Sequence, residues 1–420
     1  MSTSEFDKYK VDHLFLLMGE NPLPNYVTAN LLLKKGGTPY LVHTTGTETQ
    51  AKRLKNILDN KPISLQPAKL ISLDLYESDA YHIQDEIRRK IQSLKNGRIG
   101  LNYTGGTKAM AVHAYRAVLS QSPADTVFSY LDARRLEMCI DREDGERIRI
   151  KVKPELLDVK LVRLFQLHGL ELKQKPTQQA QLPKLATELA NIFQEESTAK
   201  QWFDWFYKVF REQAYKNKLN GGGEWKSKTA LLEVLTPLDN IPQEIILAFK
   251  EENFVTDDNQ LSLQKVDKTG TFKEIKNFCK WLDGLWLEHY VLEQVKNIAD
   301  KQIEDYGLNF EIPIKGTRDG FEFDVAFTRG YQLFAISCST TSNRSLCKSK
   351  LFEAYLRARQ MGGDEARVAL VCCFNAPDTL KAEIVASTND KKIAVFGQEH
   401  LNNLSEEIAN WIDQNDEDTK

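Results

Sequence analysis

The segment Asn102-Tyr103-Thr104-Gly105-Gly106-Thr107-Lys108 decides the fold, because it lies between a short apolar run and a helical pattern. The apolar run is 99–101 and the helical pattern is 109–119. A crossing from strand to helix directs backbone N–H groups at an anion that lies over the N-terminus of the helix. The glycines allow a close backbone approach, and the threonines and Lys108 add hydroxyl donors and a positive charge. Together these features suit a phosphodiester ligand.

Two other kinds of loop have a similar composition. A Walker phosphate loop needs Gly directly before the Lys and Ser or Thr after it. Here Thr107 precedes Lys108 and Ala109 follows, which excludes a nucleoside triphosphatase loop. A tight turn with an N-capping Thr is the simpler alternative. A second polar loop, residues 19–25, favours a ligand site.

Strands and helices alternate along the first part of the chain. Residues 13–18 form an apolar run typical of a buried parallel strand, and 19–25 interrupt it before a helical pattern. That helix is predicted over 26–35, with Gly36-Gly37 as its C-cap. Further strands are predicted at 39–43, 68–73, 97–101 and 126–131, a third helix at 81–94, and an antiparallel pair at 136–140 and 147–152.

This alternation predicts a doubly wound parallel sheet, that is, an α/β fold. In such sheets ligands bind beyond the carboxyl ends of the strands. The polar loops 19–25, 44–47 and 102–108 all fall at that edge. The predicted fold and the predicted ligand site therefore agree.

These loops carry a family resemblance. Residues 19–25 and 102–110 resemble the two signature loops of CARF domains, the Rossmann-like sensors of CRISPR type III systems. The closest pattern is that of effectors joining one CARF domain to a restriction-endonuclease-like domain of the PD-(D/E)xK class. The resemblance covers about the first 150 residues and resumes near Gly284. It implies a homodimer that binds a cyclic oligoadenylate, with cyclic tetra-adenylate the expected ring, across the two-fold axis.

The resemblance also indicates which residues bind the ring. They are expected on the three polar loops at the carboxyl edge of the sheet. The expected ligand-binding residues are Gly19, Glu20, Asn21, Pro22, Asn25, Thr44, Thr45, Asn102, Thr104, Gly105, Gly106, Thr107 and Lys108.

Composition bounds the class of protein. A chain of 420 residues predicts two or three domains, and 41% hydrophobic with 27% charged residues is ordinary for a globular protein. The net charge of -3 excludes a globally basic nucleic-acid binder, so any nucleic-acid surface is local. Six irregularly spaced cysteines indicate reduced thiols, and no apolar stretch is long enough to span a bilayer. The expected location is the cytoplasm, with no membrane partner.

Four regions are predicted. They are a CARF sensor at 1–155, a helical and winged-helix-like region at 156–275, a PD-(D/E)xK nuclease-like α/β domain at 276–400, and a C-terminal helix with an acidic, solvated tail at 401–420.

The middle region has three predicted features. Residues 174–182 read as a linker, and 185–217 as helical, with an aromatic cluster at 202–210 that is typical of core packing rather than base stacking. A helix at 241–252 followed by a hairpin of 253–255 and 261–263 resembles a winged helix. In the family this module serves as a spacer.

The C-terminal part is expected to carry the nuclease-like site, between a helix at 284–299 and strands at 310–314, 320–327 and 331–340. In PD-(D/E)xK nucleases a strand carboxylate and a Glu-x-Lys hold a divalent metal and the attacking water, and the Lys offsets charge on the phosphate. The resemblance places Asp324 as the first carboxylate and Glu288 as the acidic residue of the preceding helix. Both are the expected ligands of Mn²⁺ or Mg²⁺. Glu322 lies on the same predicted strand face as Asp324.

The sequence departs from the family at the Glu-x-Lys position. Ser337 and Ser339 stand where the Glu and the Lys are expected. A serine hydroxyl is a poor ligand for a hard cation and carries no positive charge. Either the site is inactive, or the missing groups come from the next helix. The candidates there are Lys348, Lys350 and Glu353, and the two lysines join Glu288 and Asp324 as expected catalytic residues.

Three functions therefore remain open. The first is a metal-dependent nuclease acting on DNA or RNA and activated by cyclic tetra-adenylate. The second is a non-catalytic sensor that signals to a partner. The third is a ring nuclease, in which Thr104, Thr107 and Lys108 would orient a ribose 2′-hydroxyl toward the adjacent phosphate.

Overall fold

A computed structural model of the chain describes residues 4–60, 65–121, 126–141, 146, 148–157, 159–217, 222–298, 301, 303, 305–312 and 321–417. Its architecture is mixed α/β: a parallel-rich sheet comes first, a mostly helical region follows, and a second mixed sheet comes last. All six cysteines are free, and all but Cys139 are buried. Within the described ranges, no helix is long and apolar enough to cross a membrane.

The first sheet has seven strands in the order β3-β2-β1-β4-β5-β6-β7. Its strands are β1 (Val11–Leu17), β2 (Leu33–His43), β3 (Lys69–Ser72), β4 (Ile99–Asn102), β5 (Val127–Asp132), β6 (Glu137–Asp141) and β7 (Ile148–Lys151). The helices are α1 (Leu23–Leu32), α2 (Glu48–Asp59), α3 (Ala80–Gln92), α4 (Lys108–Gln121) and α5 (Leu161–Leu167). The first five strands are parallel and the last two are antiparallel, as the sequence predicts.

Helices cover both faces of the first sheet, as the side chains of its central strand β1 show. Leu14 and Leu16 belong to the core on the side of α1 and α2, whereas Phe15 and Leu17 belong to the core on the side of α3 and α4. Because both faces of a parallel sheet are covered, β1 is a continuous apolar run without alternation.

The predicted helix over 26–35 is wrong at its end. Helix α1 ends at Leu32, and β2 begins at Leu33, whose ladder partner is Val11. Gly36 and Gly37 therefore lie inside a strand instead of capping a helix. Pairing with β1 extends the strand through the two glycines that would otherwise cap the helix, and the β-bulge next to Val11 accommodates the extra residues of β2.

The middle region combines short helices with two small sheets. Its elements are α6 (Pro183–Ile192), α7 (Glu196–Trp205), α8 (Arg211–Ala214), β8 (Tyr215–Asn217), β9 (Gly223–Trp225), α9 (Lys228–Leu232), β10 (Leu235–Pro237), α10 (Gln243–Glu251), β11 (Gln260–Ser262), α11 (Leu263–Thr269) and α12 (Ile275–Lys280). A π-helical segment, Phe206–Phe210, joins α7 to α8. Trp202, Trp205, Phe206 and Phe210 are buried, so this aromatic cluster is core.

Of the predictions for this region, that of a continuous helix is wrong in part. The helix predicted over 185–217 is interrupted after Ile192 and ends in β8, which pairs with β9. The predicted hairpin forms around an antiparallel bridge between Val255 and Leu261, with the Thr256 N–H donating to the Gln260 carbonyl and the Ser262 N–H to the Phe254 carbonyl, both at 2.9 Å, and β11 also pairs with β10. The predicted loop at 218–221 lies outside the described residues.

The second sheet has the order β12-β13-β14-β15-β16. Its strands are β12 (Asp305–Ile312), β13 (Phe321–Arg329), β14 (Gln332–Ser339), β15 (Arg367–Cys372) and β16 (Ala394–Phe396), and its helices are α13 (Trp286–Lys296), α14 (Arg344–Gly362), α15 (Pro377–Thr388) and α16 (Leu404–Glu417). The first three strands are antiparallel, and β15 and β16 continue parallel to β14.

The two ends of this part differ from the prediction. A π-helical segment, Trp281–Leu285, precedes α13, and Gly284 within it has a φ of 152°. At the other end α16 continues to Glu417, where Asn415 is buried and Asp416 pairs with Arg329 at 2.8 Å. The predicted solvated tail is therefore wrong for these two residues, because they close the helix against the sheet. Residues 299, 313–314, 320 and 418–420 of the predicted elements lie outside the described ranges.

Helix α5 joins the first sheet to the second. The Leu161 backbone N–H donates to Asp305 Oδ2 at 2.8 Å, and the Phe165 ring lies 5.7 Å from that of Phe310. On the other side, the Arg53 guanidinium of α2 lies so close to Gly169 that a Cβ there would fall 2.1 Å from its Cζ. Helix α5 and the residues directly after it thus contact both α2 and β12.

Candidate functional site

The two signature loops meet where the strand order reverses, between β1 and β4. Asn102 at the end of β4 is the ladder partner of Leu16. A Cβ on Gly105 would lie 2.3 Å from the Leu17 carbonyl oxygen, so only glycine allows this approach. A Cβ on Gly19 would lie 3.4 Å from the Gly106 backbone N, and Gly106 has a φ of 78°. Such a crevice at the reversal of strand order is the usual ligand site of doubly wound sheets.

The first loop is fixed by its own polar side chains. Asn21 Oδ1 accepts from the Leu23 N–H at 2.9 Å, and Pro22 is the buried N-cap of α1. Asn25 is fully buried and its Nδ2 donates to the Leu17 carbonyl at 2.9 Å, while its Oδ1 has no hydrogen-bond partner among the described residues. Glu20 is exposed at the rim.

The second loop is also held internally. Asn102 is buried, and its Nδ2 donates to the carbonyl and hydroxyl oxygens of Ser129, both at 3.1 Å. Thr104 Oγ1 accepts from the Leu131 N–H at 2.7 Å. Thr107 Oγ1 accepts from the Met110 N–H at 3.1 Å and thereby caps α4. Lys108, the first residue of α4, is exposed.

The third polar loop contacts the chain after β3. The Thr44 N–H donates to Thr47 Oγ1 at 3.1 Å, and the Thr45 N–H donates to the Asp74 carbonyl at 2.8 Å. Thr107 Oγ1 in turn donates to the Glu77 carbonyl at 3.0 Å. The segment 73–79 therefore connects the third loop to the second signature loop. Sequence reasoning missed this segment, because it has no glycine or run of hydroxyl residues that would mark it.

Asp324 on β13 is the centre of the second candidate site. Its Oδ2 accepts from Ser337 Oγ at 3.0 Å and from the Cys338 N–H at 2.6 Å. Ser337 follows Ile336, the ladder partner of Val325, so the hydroxyl reaches the carboxylate across the β13–β14 pair. The Cys338 thiol is buried near Asp324 and Glu288, and burial raises its pKa well above the usual value.

The lysines of α14 divide between two places. Lys350 Nζ lies 4.0 Å from Asp324 Oδ2 and donates to the Cys338 carbonyl at 2.8 Å. Lys348 Nζ instead pairs with Glu383 at 3.3 Å. Lys350 thus brings a positive charge to the strand position that Ser339 leaves neutral, whereas Lys348 is directed to α15.

A cleft of about 330 Å³ opens beside this strand end. Glu288 and Lys350 line it together with Ser339 and two residues that sequence reasoning missed, Lys280 and Asp283. Burial raises the pKa of Asp283, and Arg211, 3.6 Å away, opposes that shift. The π-helical turn brings these residues to the cleft, and no local pattern announces such a turn. The side chain of Glu322 lies outside the described part of the chain.

The residues at Asp324 do not fit a divalent metal. Mg²⁺ and Mn²⁺ favour several carboxylate or carbonyl oxygens. Here the second strand carboxylate is replaced by Ser337, which donates its own hydrogen to Asp324. Among the described residues, no group of three or more His, Cys, Asp or Glu side chains is placed to hold a metal ion.

Two family models match the chain. Residues 14–156 match the Card1 CARF domain, and residues 275–415 match the Card1-like endonuclease domain. The chain joins a Card1-type CARF domain to a Card1-like endonuclease domain. The Card1-like match at each end coincides with one of the two candidate sites: the signature loops in the first domain, and Asp324 with its cleft in the second.

Solved structures share the fold of this Card1-like protein at low sequence identity. Protein VC1899 from Vibrio cholerae matches with a TM-score of 0.70 at 16% identity, over 96% of this chain and 98% of that one. Can2 from Sulfobacillus thermosulfidooxidans, solved in complex with cyclic tetra-adenylate, matches with a TM-score of 0.65 at 15% identity, over 97% and 98%. A type III CRISPR defence DNA nuclease activated by cyclic oligoadenylate matches with a TM-score of 0.50 at 15% identity, over 86% and 45%. No curated protein matches significantly.

Proposed function

We propose that this protein acts in CRISPR type III defence by binding a cyclic oligoadenylate, cyclic tetra-adenylate, at its CARF domain. The observation that carries the proposal is the backbone contact of the two glycine loops at the β1–β4 crossing, directly under the N-terminus of α4. Backbone N–H groups and a helix N-terminus bind phosphate, and Lys108 adds a charge-assisted donor. The solved complex of Can2 with cyclic tetra-adenylate, which shares this fold, supports the choice of ring.

We infer that two copies of the chain form the complete binding site. One chain offers one copy of each loop, whereas a cyclic ligand with two-fold symmetry needs an isologous pair. The ring would then lie across the two-fold axis, and each half of it would contact Gly19, Gly105, Gly106 and Lys108 of one chain.

Binding in the first domain would control the nuclease-like domain through helix α5. Its contacts to Asp305 and Phe310 on one side, and to α2 on the other, connect the two domains. The domain would act on DNA or RNA at the cleft beside Asp324. Because Ser337 and Ser339 replace the Glu and the Lys, metal-dependent cleavage by this domain should be slow or absent.

One assay tests the proposed function. The protein is incubated with labelled DNA, labelled RNA and labelled cyclic tetra-adenylate, each with and without manganese, and ring binding is measured in parallel. Tight ring binding with slow cleavage of DNA or RNA is the expected result. Failure of the wild-type protein to bind the ring would overturn the proposal.

The same assay separates the alternatives. Brisk, manganese-dependent cleavage of DNA or RNA would identify an active nuclease. Loss of the ring without metal would identify a ring nuclease, which the internal hydrogen bonds of Thr104 and Thr107 disfavour, because both hydroxyls already serve the fold. Binding without any cleavage would identify a sensor that signals to a partner.

A further inference from the structure

The segment 73–79, between β3 and α3, is anchored to the CARF loops at two separate points. Near its start the Asp74 carbonyl accepts from the Thr45 N–H, and near its end the Glu77 carbonyl accepts from Thr107 Oγ1. Between these anchors the Tyr76 N–H donates to the Leu73 carbonyl at 2.9 Å, which makes a turn. The segment is therefore a fixed wall of the loop region at the carboxyl edge of the sheet.

Tyr76 is the aromatic residue on this wall. Its side chain is 51% exposed, although the chain on either side of it is held. The ring centroid lies 4.5 Å from that of His82, at an interplanar angle of 41°. His82 is itself fixed by its backbone N–H, which donates to Asp79 Oδ1 at 2.8 Å. The tyrosine ring thus rests on His82 and remains half open to solvent.

We propose, resting on the proposed function, that Tyr76 is a stacking platform for one adenine base of the bound ring. The phosphates of a ring over the glycine loops would leave its bases directed outward, and the segment that links Thr45 to Thr107 is the adjoining wall. Because the Tyr76 side chain already packs on His82, it loses little conformational entropy when a base stacks on it. Bases stack on aromatic side chains through their π-faces. Tyr76 therefore binds the base, while Lys108 and the glycine loops bind phosphate.

The exposed tyrosine has one competing occupant, a second copy of the chain. A contact between copies would need Tyr76 for dimer formation, whereas a base platform needs it only for affinity. The two are separated by measuring the mass of the protein in solution beside its affinity for the ring.

The experiment compares the wild type with Tyr76→Ser, Tyr76→Phe and Tyr81→Ser, using cyclic tetra-adenylate as the probe. Tyr81 on α3 is 79% exposed and five residues along the chain, so it is the matched control. Calorimetry should show a loss of affinity of about fivefold to a hundredfold for Tyr76→Ser. Tyr76→Phe retains the aromatic side chain, so its affinity for cyclic tetra-adenylate should stay within about twofold of that of the wild type. Tyr81→Ser should bind cyclic tetra-adenylate with the same affinity as the wild type.

Salt gives a second readout. The loss of affinity for cyclic tetra-adenylate caused by Tyr76→Ser should persist from low to high salt, because salt screens contacts between charges and does not screen stacking. Unchanged affinity in Tyr76→Ser, with tight binding by the wild type, would overturn the platform and leave the proposed function standing. A change from dimer to monomer in Tyr76→Ser would also overturn it, in favour of a contact between copies. Absence of binding by the wild type would overturn both proposals.

Discussion

Lys108 is the one charged residue of the second signature loop, and it lies at the N-terminus of a helix. It is exposed at the first turn of α4, next to Thr107, whose hydroxyl is occupied by Met110 and Glu77. A cation at a helix N-terminus is unfavourable on its own, because the helix dipole places positive partial charge there. The proposed function gives this cation a favourable partner, a phosphate of the ring.

We predict that Lys108→Ala weakens binding of cyclic tetra-adenylate by about tenfold or more, since hydrogen bonds to charged groups contribute roughly 1.5–3 kcal/mol. The loss should shrink at high salt. Lys95→Ala is the control, because Lys95 is exposed before β4, at the opposite edge of the sheet. Equal affinities of Lys108→Ala and the wild type in calorimetry would exclude Lys108 as a phosphate contact.

His289 shows how a buried titratable residue couples the fold to pH. It lies on α13, is almost fully buried, and its Nδ1 accepts from the Gln181 N–H at 2.9 Å. Burial lowers the pKa of His289 to about 4. The folded pKa lies below that of the unfolded chain, so the unfolded state binds more protons between about pH 6.5 and 4. Stability is therefore lost as the pH falls through this window and is unaffected above it.

We predict that the free energy of unfolding falls between pH 6.5 and 5 with a contribution from His289 of up to about 1.4 kcal/mol per pH unit. The substitution His289→Gln retains an acceptor for the Gln181 N–H but does not titrate, so it should flatten that slope. Chemical denaturation at a series of pH values measures it. Parallel profiles for the variant and the wild type would show that His289 does not titrate in this window.

At the scale of elements, strand β14 and helix α14 share the altered site. The strand supplies the Ser337 hydroxyl and the Cys338 N–H to Asp324, and the helix returns Lys350 to the same carboxylate. The positive charge has thus a substitute on a neighbouring element. For the lost carboxylate, the described residues offer no group of three or more His, Cys, Asp or Glu side chains that could hold a metal ion in its place.

We predict that Ser337→Glu combined with Ser339→Lys raises ring-activated, manganese-dependent cleavage of DNA or RNA above that of the wild type. The added carboxylate and ammonium would restore the groups that hold metal and offset phosphate charge. Asp324→Ala in the doubly substituted protein is the control and should abolish the gain. Rapid cleavage by the wild type that Asp324→Ala removes would instead show that Lys350 or another residue of α14 already serves.

How far the sequence predicts this protein also differs between elements. The sequence correctly predicts strand β1 and the loop after β4, because apolar runs and glycine-rich crossings are local signals. It does not predict the start of β2, the additional pairing of β11 with β10 or the π-helical turn before α13, because each depends on pairing or packing with residues elsewhere in the chain. The same reason hid Tyr76 and Asp283, whose positions become visible only when two segments far apart in sequence meet.

At the scale of the whole molecule, the two-fold symmetry of the cyclic ligand requires a binding site with the same symmetry. We predict that the protein is a dimer without ligand and binds one cyclic tetra-adenylate per two chains, since each chain contributes a single set of loops. Light scattering gives the mass and calorimetry the stoichiometry. A monomer, or one ring per chain, would contradict the isologous site.

Helix α5 has a consequence for how such proteins diversify. The helix contacts α2 on one side and the second sheet on the other: the Leu161 N–H donates to Asp305, and Arg53 packs against Gly169, two residues after the end of α5. No crossover point near residue 155 leaves both sets of contacts intact, so a sensor and an effector domain taken from different relatives would meet at a mismatched joint. Exchange between lineages should therefore favour whole chains, or grafts in which α2 and α5 travel together. Replacement of the Glu-x-Lys residues by Ser337 and Ser339, by contrast, alters the nuclease-like site and leaves the contacts of α5 unchanged.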